Sequence, residues 1–122
     1  MNTVFNPARQ NFAKFDDNHY LLFLNEQEAE QTNEQGDTVK GYTYTGEQAD
    51  GSTMIEASDV NDQNRRGKFI AGLIGIEYSI DDQIALLANG EDTNKHAEEL
   101  TAFNAARKGA KKLVDDLLAR NI

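Results

Sequence analysis

The stretch KHAEELTAFNAARKGAKKLVDDLLAR, Lys95 to Arg120, restricts the fold more than any other part of the chain. Leu100, Phe103, Ala106, Ala110, Leu113, Val114, Leu117 and Leu118 recur at the three- and four-residue spacing of one helix face. A helix of this extent is about 40 Å long at 1.5 Å per residue. Thr93 or Asn94, in the loop GEDTN, supplies its N-cap. Arg107, Lys108, Lys111 and Lys112 dominate its third and fourth turns. Tertiary packing of the apolar stripe, more than intrinsic propensity, stabilises such a helix. The rest of the chain has to supply the surface it lies on.

Residues 58–122 read as helical throughout. SDVNDQNRRGKFIAGLIGIEY opens on the capping residues Ser58, Asp59 and Asn61, and its spacing predicts a helix over about 59–77. Phe69, Ile70, Leu73, Ile74 and Ile76 form a broad apolar stripe along it. Gly67, Gly72 and Gly75 each lower its intrinsic helicity, by roughly 1 kcal/mol relative to alanine, and let another backbone come close. A second, short helix over about 80–89 stops at Asn89-Gly90. Its opening, YSIDD, poses a choice. Asp81 and Asp82 are either a metal or acid–base pair or the first turn of a helix. Ser79 stands three positions before Asp82 as an N-cap, acids suit the positive end of the helix dipole, and Ile80, Ile84 and Leu87 follow at helical spacing. The helix-start reading accounts for every residue, whereas the catalytic one has no local partner acid, base or ligand.

Residues 1–57 read as β and loop. HYLLFLN, His19 to Asn25, is a short apolar run between polar turns and reads as a buried strand. EQEAEQTNEQGD, Glu26 to Asp37, is polar and ends on Gly-Asp, so an exposed, mobile connection is expected. TVKGYTYTG places Val39, Gly41, Thr43 and Thr45 on one strand face and Lys40, Tyr42 and Tyr44 on the other. The Asp50-Gly51 turn signal then suggests that 53–57 pairs back, giving a β-hairpin over 38–57. Pro7 lies in the N-terminal arm, clear of these elements. The expected fold class is α+β: an N-terminal antiparallel hairpin or small sheet packed on a C-terminal unit of about three helices. The β/loop part is 1–57 and the helical part 58–122, sharing one core. Phe69, Leu73 and Ile74 with Phe103, Ala110, Val114 and Leu117 are its expected core, with any unburied part of those stripes left for self-association.

Charge and composition narrow the chemistry. The chain of 122 residues carries 12 basic and 21 acidic side chains, a net charge of −9. Residues 1–90 hold 6 basic and 15 acidic residues, and residues 91–122 hold 6 of each, so the excess is confined to the first part. An acidic chain repels phosphate backbones, so no nucleic-acid partner is expected. The neutral C-terminal part meets no charge penalty on approaching a copy of itself. There is no cysteine, which rules out disulfides and thiolate-held metals. MNTVFNPARQNFAKF lacks a continuous apolar segment and no run approaches the ~20 apolar residues of a membrane span, so synthesis and folding in a cytoplasm are expected.

The remaining candidate sites carry structural and functional readings side by side. DVNDQN, Asp59 to Asn64, has some acids of a calcium loop, but Asn64 stands where the turn glycine belongs and Ile70 where the twelfth-position acid belongs. His19 and His96 lie far apart and neither begins a zinc motif, which leaves only a histidine–carboxylate site assembled by the fold. Gly72 and Gly75 make no phosphate-binding pattern. RRGK, with Arg65 and Arg66, is either a solvated helix flank or a contact for an anionic partner. Tyr42 and Tyr44 are either an exposed aromatic patch for a partner or a sheet face packed on the helices. No catalytic, metal or cofactor set is expected.

IEYSIDDQIALLANG followed by EELTAFNAARKGAKKLV resembles a C-terminal pattern of small bacteriophage and prophage tail-region proteins of the XkdW-like type. Tyr78, Ser79, Asp81, Asp82, Ile84, Leu86, Leu87, Phe103, Asn104 and Arg107 are the positions that carry the resemblance. The upstream GYTYTGEQADGSTMIEA is similar to segments preceding such modules in phages and prophages of gut Bacteroidales, so the resemblance runs from Gly41 onward. It implies a virion or virion-assembly protein, with other phage virion proteins and copies of itself as partners, and it implies no catalytic residues. Two roles follow: a non-enzymatic structural component of the tail, collar or head surface, or a tail-fibre assembly chaperone absent from the mature particle. A small metal-dependent hydrolase and a host-type cytoplasmic adaptor are the readings from other classes.

Overall fold

The computed structural model describes residues 1–122. Strands β1 (Asn2–Asn6), β2 (Phe12–Asp16), β3 (His19–Leu22), β4 (Gln27–Thr32), β5 (Thr38–Gly46) and β6 (Thr53–Glu56) precede helices α1 (Arg65–Glu77), α2 (Ile80–Asn89) and α3 (Asn94–Leu118). The strands form two antiparallel sheets, ordered β1-β5-β4 and β2-β3-β6. The fold class is α+β, as the sequence indicates.

The strand pairing differs from expectation in two places. The polar segment 26–37 is not a free connection. Gln27–Thr32 is β4, and it pairs with β5 from Gln27↔Thr43 to Thr32↔Thr38. The turn between them is closed by Asn33, whose Oδ1 accepts the N–H groups of Gln35 (3.1 Å) and Asp37 (2.9 Å), while Gly36 takes a positive φ of 83°. Only Ala29 of β4 is even half-buried, so backbone pairing holds this strand, with Glu28 and Glu30 charged along the open edge.

The hairpin over 38–57 does not form either. β5 is already paired on both edges, by β1 and by β4, and has no edge left for β6. The Asp50-Gly51 turn exists, with Gly51 at φ 82°, but it carries the chain from one sheet to the other. Asp50 Oδ1 accepts the N–H of Ser52 at 2.9 Å, and Ser52 is fully buried at this corner. A side chain at Gly46 would lie 2.3 Å from the Ser52 carbonyl oxygen, which explains a glycine at the corner.

One core joins the second sheet to the helices. Tyr20, Leu22, Leu24, Ile55 and Ala57 meet Phe69, Ile70 and Ile74 of α1 and Phe103, Ala110, Val114 and Leu117 of α3. The rings of Phe12, Tyr20 and Phe69 form a cluster with centroids 5.2 to 6.3 Å apart. Tyr78 packs edge-on against Phe103 at 5.0 Å. Phe23 and Tyr44, at 5.4 Å, tie the first sheet to this body. The first helix starts later than its spacing suggests, at Arg65, because 59–64 is taken up by side-chain turns with Asp59 at φ 54°.

Close backbone approach occurs at Gly72 alone among the three glycines of α1. A Cβ there would sit 2.9 Å from the Glu56 carbonyl oxygen and from Ile55, whereas Gly67 has open space. Gly72→Ala is therefore expected to destabilise by about 1–3 kcal/mol through overpacking, in spite of its better helix propensity. Gly67→Ala should be neutral or stabilising. Urea melts of the two variants check this, and a Gly72→Ala protein as stable as wild type would contradict it.

Candidate interaction surface

The acidic pair at the start of α2 is a helix cap. Asp82 N–H donates to Ser79 Oγ at 3.0 Å, and Asp82 Oδ2 accepts the Ser79 N–H at 3.3 Å, a reciprocal capping box. Asp81 lies exposed in the first turn. DVNDQN is likewise a turn. Asn61 Oδ1 accepts the N–H groups of Gln63 and Asn64 at 2.9 Å each, and Asn64 Nδ2 donates to the Asp59 carbonyl at 2.9 Å. The two histidines each meet one carboxylate: His19 with Asp16 at 2.8 Å, and His96 with Asp92. Nowhere do three metal-ligating side chains converge, and no helix is long and apolar enough to cross a membrane.

The candidate partner-binding residues are mostly engaged within the fold. Tyr44 is 1% exposed, which removes it from any surface patch. Its hydroxyl donates to Glu26 Oε2 at 2.7 Å and accepts the Gln10 N–H at 2.8 Å. Burial, reinforced by Glu26, pushes the Tyr44 hydroxyl up to about 12. Glu26 is also gripped by Arg9 through a forked contact (2.7 and 3.1 Å) and approached by Arg120 Nε at 3.6 Å. Burial opposes its charge, but Arg9, Tyr44 and Arg120 together outweigh that and hold its carboxyl below the ordinary range. Arg120 additionally donates to the carbonyls of Gln10 (3.0 Å) and Phe23 (2.6 Å). Arg120 follows α3 and Glu26 precedes β4, so this network clasps the C-terminal end of the chain to the strands.

Tyr42 remains half-buried beneath the Arg9 guanidinium, 5.3 Å from its ring centre. It lines a shallow depression of about 590 Å³ on the first sheet, with Glu28, Glu30 and Lys40. Arg65 covers the Phe12 ring at 4.9 Å and pairs with Asp62 at 2.8 Å. Arg66 makes a two-point contact with Asp115 (2.7 and 3.2 Å) that fastens α1 to α3. It keeps the Asp115 carboxyl below its ordinary range.

The residues expected to form the helical core do so, which leaves little of those stripes for self-association. Phe69, Ile74, Phe103, Ala110, Val114 and Leu117 are all buried, and Leu73 is half-buried against them. The apolar surface lies elsewhere. Ile76 is 56% exposed, Ile80 70%, Ile84 60% and Leu87 62%. α2 buries no residue fully, and it turns Gln83 and Leu86 inward instead of the stripe Ile80-Ile84-Leu87. Periodicity alone finds the stripe but does not say whether the protein's own core or another chain covers it. A signal was present: Leu86 lies off the stripe, and it belongs to the side that touches the body.

Beside this stripe runs a groove of about 1020 Å³ between β6 and α1, with Met54, Ile55, Ala71 and Gly75 on its surface and Ile76 and Ile80 at its α2 end. Comparison with protein-family models, with curated proteins and with solved structures finds no match for this chain.

Proposed function

We propose that this chain is a non-enzymatic bacteriophage structural protein that acts by protein–protein assembly on the tail, collar or head surface. The observation that carries the assembly half of this reading is the outward-facing stripe Ile76, Ile80, Ile84 and Leu87. Four large aliphatic side chains, each more than half exposed and contiguous on one side, mark an interaction surface in a water-soluble fold. The phage half rests on the resemblance of the stretches within 76–114 to XkdW-like tail-region proteins. The positions bearing that resemblance include the capping pair Ser79 and Asp82 and the stripe residues Ile84 and Leu87, so the part of the chain that looks phage-like is also the part that presents the surface.

Quantitative mass spectrometry of density-purified particles of the encoding phage tests this. The expected result is this chain at a fixed ratio to the major capsid protein. Abundance in the infected-cell lysate with absence from particles would instead favour the tail-fibre assembly chaperone.

A further inference from the structure

We infer that Asn89 is a modification site, where loss of the side-chain amide as ammonia turns the asparagine into aspartate or isoaspartate and loosens helix α2. The inference goes beyond the assembly reading above and does not depend on it. Among the asparagines, Asn89 alone is followed by glycine. A glycine has no side chain to keep its backbone nitrogen away from the side chain before it. Asn89 is exposed and its amide is free, whereas the side chains of Asn2, Asn11, Asn33, Asn61 and Asn64 are held by hydrogen bonds. The Gly90 N–H is held by the Leu86 carbonyl at 3.1 Å, the last bond of a helix that buries no residue. Helix ends fray first, so this nitrogen comes free without disturbing the core. Asp50-Gly51 could close the same ring and makes the contrast. Asp50 Oδ1 accepts the Ser52 N–H at 2.9 Å, and the Gly51 N–H donates to the Gln48 carbonyl at 2.9 Å, at a corner where Ser52 is fully buried.

The backbone nitrogen of Gly90, its proton taken by hydroxide, bonds to Cγ of Asn89. The Cγ–Nδ2 bond breaks, and ammonia leaves with a proton from water. The five-membered imide then takes up one water at either carbonyl and opens to aspartate or isoaspartate. One water is consumed and one ammonia released, with no oxidation or reduction. The product carries a negative charge that asparagine lacks. It stands at the C-terminal end of α2, the negative end of the helix dipole, and directly before Glu91 and Asp92, so two effects disfavour it there. α2 has ten residues, fewer than an isolated helix needs, and no fully buried residue offsets the loss. Isoaspartate also adds one carbon to the backbone at the turn. The helix that loosens is the one that carries Ile80, Ile84 and Leu87 outward, so reaction at one amide alters the exposed stripe.

Ageing of the full chain in warm, mildly alkaline buffer tests the site, with peptide mass spectrometry that separates aspartate from isoaspartate. Conversion at residue 89 should run at least ~10-fold faster than at any other asparagine, and faster than isomerisation of Asp50 by a similar factor. Isoaspartate should accompany aspartate, which distinguishes ring closure from direct hydrolysis. Conversion at 89 no faster than elsewhere, or without isoaspartate, would overturn the site. Two variants test the consequence. Asn89→Asp supplies the added charge at once, and amide hydrogen exchange over 83–89 should quicken roughly 2- to 5-fold, with the amides of Phe69 and Val114 unchanged. Asn89→Gln keeps a neutral amide and closes a larger ring far more slowly, so it should stay unmodified and exchange like the wild type. Exchange in Asn89→Asp no faster than in Asn89→Gln would overturn the loosening of α2.

Discussion

Replacing Phe69 with alanine is expected to cost about 3–5 kcal/mol of unfolding free energy. The ring is fully buried, 5.2 Å from both Phe12 and Tyr20, so it fills the junction where the second sheet meets α1. Three aromatic rings in mutual contact do not close easily over a missing member. The cavity term should therefore add to the lost transfer free energy and not be relieved by collapse. For a chain of 122 residues the loss corresponds to a fall in melting temperature of roughly 10–20 °C. Phe12 and Tyr20 belong to the strands and Phe69 to α1, so the strands and helices should unfold in one transition, in the variant as in the wild type. Far-ultraviolet circular dichroism and tyrosine fluorescence, followed through a urea melt, measure both quantities. A loss below about 1 kcal/mol would mean that the cluster is not the keystone described here.

The contrast between Phe69 and Ile84 shows what the sequence could and could not reveal. Both sit on apolar stripes at helical spacing, and the spacing correctly places both on helices. One faces the core and the other faces solvent, because α2 is short, hangs beyond Tyr78 and touches the body only through its Gln83–Leu86 side. Periodicity measures amphipathicity, not the identity of what covers the apolar face. The α3 stripe was legible for the opposite reason: it is long, and its buried residues Phe103, Ala110, Val114 and Leu117 all come from the predicted face. Capping chemistry at Ser79 and Thr93 was equally legible, since those contacts are local. The strand partners were not. β4 has almost no apolar signal, and its backbone hydrogen bonds to β5 leave no trace in side-chain hydropathy. The Asp50-Gly51 turn was found, but a turn fixes a local reversal and not which sheet the next strand joins.

The Glu26 clasp eluded the sequence altogether, because Arg9, Glu26, Tyr44 and Arg120 are scattered over the whole chain, and it yields the second large effect. Arg120→Ala is expected to destabilise by about 2–4 kcal/mol, chiefly because the carbonyls of Gln10 and Phe23 lose a charged donor, while Glu26 keeps its contact with Arg9. The Arg120 side chain is 6% exposed and that of Glu26 13%, so neither group recovers full hydration when the other is lost. Arg120→Lys should recover less than half of the loss, since an ammonium cannot reproduce the guanidinium fork. Acid titration supplies an independent check. The carboxyl of Glu26 is held below its ordinary value, so its contribution is complete above that value, near 4.5, and disappears as pH falls through the lower folded value. The stability gap between wild type and Glu26→Gln should accordingly be constant at neutral pH and narrow below about pH 4.5. Tyr44 makes the opposite case. Its hydroxyl is raised from 10.0 to about 12, so its share is complete below pH 10 and is lost as pH climbs from there. A clasp acting through one shared carboxylate therefore predicts protection that is lost at both ends of the pH range, with Glu26→Gln blunting the acid limb and Tyr44→Phe the alkaline one. Equal slopes in all three proteins would show that the network is bystander geometry and that the C-terminal end is held by Leu117 and its core neighbours alone.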